Sequence, residues 1–119
     1  MSETSLGVDL TVLGPQGDAS WKGLAAGARL PLGLRPGQPT DAVAVFQNKE
    51  PFPVVVSAVR FDTPDQTALQ VLDGVSVVGA PVTVAANGSG EVTVRFACKG
   101  TAGEGLAVAG TVVLISARA

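Results

Sequence analysis

Apolar and polar residues alternate one by one along this chain, and that period of two constrains its fold more than any other feature. From Glu91 to Lys99, Val92, Val94, Phe96 and Cys98 share one register, and Thr93, Arg95, Ala97 and Lys99 share the other. Period two places successive side chains on opposite faces of an extended strand, whereas a helix needs a period of 3.6. Leu6, Val8, Leu10 and Val12 repeat the pattern against Asp9 and Thr11. Over Asp41 to Gln47, Val43 and Val45 fall on one face and Ala44 and Phe46 on the other. Turn chemistry separates these runs: Gly14-Pro15-Gln16-Gly17-Asp18, Asn48-Lys49-Glu50-Pro51, Asp62-Thr63-Pro64-Asp65 and Asn87-Gly88-Ser89-Gly90.

The remaining stretches complete a strand list. Residues 19–40 are the least regular part. Within them Leu30, Leu32 and Leu34 alternate around Pro31, whose missing N–H assigns this strand to a sheet edge. Pro53 to Asp62 carries apolar residues on both faces, as a central strand does. Leu69 to Leu72 and Val75 to Val78 flank Asp73-Gly74, a hairpin dipeptide. Pro81 to Ala85 is a short strand, and Leu106 to Ser116 is the last, with a bulge expected at Gly110. Strands with turn signals every ~8–12 residues predict an all-β, antiparallel sandwich of about seven to eight strands. The connections are too short for crossover helices, which excludes a parallel α/β sheet.

A length of 119 residues fits one domain, expected over residues 6–119. Residues 1–5 are polar and are expected to form a flexible N-terminal arm able to order on a partner. With Cys98 the only cysteine, no intrachain disulfide is possible, and the chain suits a reducing compartment. The start lacks the basic and apolar regions of a signal peptide, and no apolar run is long enough to span a bilayer. Its 8 basic residues are scattered, so no stripe exists to neutralise phosphates, and nucleic acid is not an expected partner.

The residue types that carry chemistry are sparse. There is no histidine, so a nucleophile lacks its usual base and zinc its usual ligands. Cys98 sits in the inward register of its strand, as a small core residue. No serine occupies a nucleophile elbow, and no glycine-rich loop opens a helix. Asp62 and Asp65 bracket Pro64 in ordinary turn chemistry and fall short of the 6–8 oxygens that calcium takes. The expectation is a non-enzyme with no catalytic residue, metal or cofactor.

Interface candidates follow from bulky apolar residues in irregular segments. Trp21 lies before the proline-bearing edge strand and reads either as a plug at one end of the core or as an interface anchor, tryptophan being frequent among hot spots. Leu24 follows it. Phe52, between Pro51 and Pro53, either packs over the sandwich end or meets a partner. Leu30, Leu32 and Leu34 form either a buried strand face or a docking row.

Two stretches, VAVFQNKEPFPVVVSAV at 43–59 and PVTVAANGSGEVTVRF at 81–96, resemble bacterial and phage immunoglobulin-like domains, with the rhythm of the ASPM–SPD2–Hydin type. In both, a strand ends in Asn, a proline-bearing turn and a Val-rich strand follow, and a proline-led strand later runs through a Gly/Ser turn into an alternating one. The resemblance implies an immunoglobulin-like sandwich. A free-standing domain of this size is similar to the small accessory proteins of tailed phages, capsid decoration proteins first and tail- or fibre-associated proteins second. It implies a structural protein of a virion that binds and stabilises the outer shell. The expected partner is the major capsid protein or another virion protein, with self-association open. A carbohydrate- or cell-surface-recognition module is the alternative.

Overall fold

The computed structural model describes residues 2–14, 24–25, 29–64, 66 and 70–119, with the backbone alone at 24, 25, 29 and 30. Trp21 lies outside the described residues. The strands are β1 (Ser2–Val12), β2 (Leu24–Ala25), β3 (Arg29–Leu34), β4 (Pro39–Gln47), β5 (Val54–Asp62), β6 (Leu72–Val77), β7 (Val82–Val84), β8 (Ser89–Cys98) and β9 (Ala107–Arg118). They form two sheets, one of five strands in the order β3-β1-β9-β5-β7 and one of four in the order β2-β4-β8-β6. The protein is thus an all-β sandwich. Odd-numbered strands build the five-stranded sheet and even-numbered strands the four-stranded one, so every connection between described strands passes from one sheet to the other.

The alternation seen in the sequence is the core. Leu6, Val8, Leu10 and Val12 of β1 are buried, as are Val92, Val94, Phe96 and Cys98 of β8. They meet Val108, Val112 and Leu114 of β9 in one cluster. Burying such side chains stabilises the fold by roughly 1.5–3 kcal/mol each. In β4 the inward face is Ala42, Ala44 and Phe46, and Val43 and Val45 turn outward.

Several expectations are corrected. Residues 2–5 are not a free arm: β1 begins at Ser2, which stands opposite Ser116, because β9 is long enough to pair with the whole strand. Asp73-Gly74 does not turn a hairpin. A single strand, β6, runs through it with a bulge between Leu72 and Gly74, and Gly74 lacks the positive φ that a hairpin turn of this kind requires. A hairpin there would join two consecutive strands in one sheet, which this chain never does. Gly110 carries no bulge, since its register with Val8 is regular. A Cβ there would lie within 2.8 Å of Asp62 O and would enter the Phe61 ring, so the glycine makes room for a side chain. The bulge lies instead in β5, between Val56 and Ala58. It lets Val54 and Val56 face inward before it and Val59 and Phe61 after it. Pairing is also not wholly antiparallel: β1 with β3 and β2 with β4 are parallel.

Pro31 is at a sheet edge, as its chemistry dictates. Asn87, with φ of 55°, and Gly88 close the β7–β8 turn, where Gly88 N–H donates to Ala85 O.

Candidate interaction surface

Two turns at one end of the sandwich are laced together by Asn48, a buried polar side chain at the end of β4. Its Nδ2 donates to Phe52 O (2.9 Å), Ala85 O (3.1 Å) and Val84 O (3.3 Å), and its Oδ1 accepts from Glu50 N–H at 3.0 Å. Backbone bonds from Asn48 N–H to Gly88 O and from Asn87 N–H to Glu50 O complete the lacing. Every polar atom of the Asn48 amide is therefore engaged in holding the two turns. The hollow beside it, about 370 Å³ and lined by Gln47, Lys49, Asn87 and Ser89, has a polar wall. Phe52 is half-buried against the core at this end, with the Arg118 guanidinium 4.3 Å from its ring centre.

The outer face of the five-stranded sheet carries an ionic clasp. Arg60 of β5 holds Glu3 of β1 through both carboxylate oxygens (3.1 and 3.2 Å) and Asp62 through its Nε at 2.8 Å. Arg60 and Ser5 both stand opposite Val113 of β9, so the clasp spans the central strand, and Val113 is only 3% exposed. Hydrogen bonds donated by Arg60 to Asp62 and then to Glu3 raise its pKa, and the guanidinium stays charged.

The outer face of the four-stranded sheet differs. The exposed large apolar side chains among the described residues are Val45 and Val78, at 40% and 36%, and both belong to this face. Val43 stands opposite Thr93, whose carbonyl accepts the Val78 N–H at 2.9 Å. Val78, Thr93, Val43 and Val45 thus form a β-branched run across β8 and β4. It is bordered by the Arg95–Asp41 pair (2.8 and 3.0 Å) on one side and by Glu91 and Gln47 on the other. The bond to Asp41 raises the Arg95 pKa, so the border stays charged.

Of the residues singled out in the sequence, those whose side chains are described, Leu32, Leu34 and Phe52, are not part of this surface. Leu32 and Leu34 are 1% and 0% exposed and belong to the core, because β3 turns this face between the sheets; they are removed as a docking row. Leu30 is on the same strand opposite Val8, and Leu24 lies in β2 opposite Ala44; their side chains are outside the description. The valines of the outer run were missed as a site. Alternation separates Val43 and Val45 from Ala44 and Phe46 but does not say which face is inside.

Cys98 is buried, with its thiol pushed up by desolvation and partly restored by the Gly37 backbone N–H. Among the described residues, no three His, Cys, Asp or Glu side chains are grouped as metal ligands, and no helix is long and apolar enough to cross a membrane. No protein-family model, curated protein or solved structure matches the chain.

Proposed function

We propose that this chain is a non-enzymatic structural protein of a large assembly, docking through the outer face of its four-stranded sheet. The observation that carries the proposal is the outward β-branched run in which Val45 and Val78 are exposed and Val43 and Thr93 half-buried. Valines left in water on an otherwise well-packed sandwich gain stability only when another surface covers them, and a small apolar patch with a charged border has the anatomy of a protein interface. Among the described residues, the polar hollow near Asn48 has no ring in its lining on which a sugar could stack, and Phe52 is taken up by the core and Arg118.

The more specific form of the proposal, a capsid decoration protein on a phage shell with the major capsid protein as partner, draws its support from the resemblance at 43–59 and 81–96. The test is sedimentation of the native source material through a density gradient, with the chain located by mass spectrometry. The expected result is co-migration with a particle in fixed ratio to a major shell protein. A Val45→Asp/Val78→Asp double variant should stay folded yet fail to rebind particles stripped of the chain. Wild-type chain found at the top of the gradient as a small free species would overturn the assembly reading.

A further inference from the structure

Beyond the end of β3, no described strand pairs with the outer edge of β1. Val12 exchanges backbone bonds with Leu106 and Gly105 on the β9 side, whereas Leu13 N–H donates to Leu34 O on the β3 side. Backbone groups alternate sides along a strand, so even-numbered residues of β1 turn N–H and C=O to β9 and odd-numbered residues turn them to β3. The β1–β9 register runs without a shift from Ser2 to Thr11, which carries this parity to the start of the strand. β3 reaches only as far as Gly7. The N–H and C=O of Glu3 and Ser5 therefore point, in the plane of the sheet, at a place no described strand fills. Beside it lies a groove of about 380 Å³ lined by Thr4, Phe46, Asn48 and Val54.

Such an edge is a template for another strand. The four outermost strands are blunted: β3 carries Pro31, β6 a bulge at Asp73, and β7 and β2 are 3 and 2 residues long. Residues 2–6 have no proline, glycine or bulge.

We propose that this edge pairs with the same edge of a second copy, antiparallel about a twofold axis through Thr4, making the two five-stranded sheets continuous. Register singles out this arrangement. With Glu3 opposite the second copy's Ser5, the open groups meet and exchange both bonds, and no like charges face each other. Sliding the strands so that Glu3 meets Glu3 sets like charges opposite, which destabilises the pair. Sliding the other way sets Glu3 opposite Gly7, whose groups face β3. Registers pairing odd with even residues bring open groups against groups already bonded to β9. Thr4 then faces Thr4, a favourable cross-strand pair. The interface is isologous, so it closes as a dimer.

The test is sedimentation equilibrium of the purified chain over a concentration series, with two variants. Ser5→Pro removes an N–H to which no described strand is paired, and proline is tolerated at an outward-facing edge position. Its unfolding midpoint should stay near the wild-type value, while its dissociation constant rises at least ~30-fold. Ser5→Glu leaves the backbone intact and puts a carboxylate opposite Glu3. It should weaken the dimer more at low salt than at high salt. A wild-type chain that stays monomeric up to about 1 mM would sink the proposal. So would a dimer that both variants leave unchanged, which would use another surface, or a wild-type edge that takes an unrelated extended peptide and never itself. The experiment uses the purified chain alone, so its failure leaves docking through the four-stranded sheet standing, and the reverse also holds.

Discussion

The two sheets are finished differently. In the five-stranded sheet, Gly110 is fitted against Phe61, and the ionic clasp of Glu3, Arg60 and Asp62 lies over Val113. In the four-stranded sheet, Val45 and Val78 are bare on the outside, and the Thr40 hydroxyl is buried on the inside without a hydrogen-bond partner. The same residue type, valine, is covered on one face and left in water on the other. The long stems of charged side chains lid apolar surface when their heads are held in place. Arg95, turned to Asp41, is held beside the valine run instead of over it. The five-stranded sheet is the fitted scaffold, and the four-stranded sheet presents a surface.

Substitutions can break or sharpen this contrast. The largest effect is expected from Gly110→Ala, which forces a methyl into the Phe61 ring and should destabilise by about 2–3 kcal/mol in a denaturant titration. Gly74→Ala is its counterpart in the other sheet. A Cβ there meets nothing within 4 Å, so stability should stay within ~0.5 kcal/mol of wild type. Equal losses at the two glycines would erase the distinction.

A smaller gain is expected from Thr40→Val. Replacing an unsatisfied buried hydroxyl by a methyl of similar shape should raise stability by about 1 kcal/mol, seen as a higher urea midpoint. A loss instead would show that the hydroxyl is satisfied and the inner face of this sheet as well finished as the other.

The smallest effect concerns pH. Burial holds the Cys98 thiol above its ordinary value in the folded chain. The unfolded chain therefore releases the proton first, and above the ordinary thiol range the folded state binds more protons. Stability should be flat below that range and fall as pH rises through it. The difference in urea midpoint between wild type and Cys98→Ala should be constant on the acid side and move against wild type on the alkaline side. A wild-type curve parallel to that of the variant would show the thiol to be in contact with water.

What the sequence makes legible here is local, and what it hides is partnership. Alternation at 6–12 and 91–99 marks β1 and β8 and their buried faces, and Pro31 marks an edge. The change of phase from Val54 and Val56 to Val59 and Phe61 holds the bulge at Ser57, but apolar residues on both faces also suit a central strand without one. Asp73-Gly74 has the composition of a hairpin turn, yet that dipeptide turns the chain only where its flanking strands pair with each other; here both flanks pair with β8. Nothing in residues 2–5 announces a strand, because what fixes them is β9, more than a hundred residues away. The surface valines were hidden for a related reason. Which side of β4 is inside depends on the opposing sheet, and Ala42 and Ala44 are buried because Phe96 and the β1 leucines fill the space between.

The routing of the chain has a further consequence, for how the molecule forms. Because each described strand enters the sheet its predecessor left, no pair of sequence neighbours closes a local ladder. Folding cannot start from a hairpin and grow outward. Every pairing skips at least one strand, from β6 with β8, where Val77 meets Val94, to β1 with β9, where Ser2 meets Ser116. Domains of that topology fold in roughly milliseconds to seconds, far slower than helical bundles of similar length.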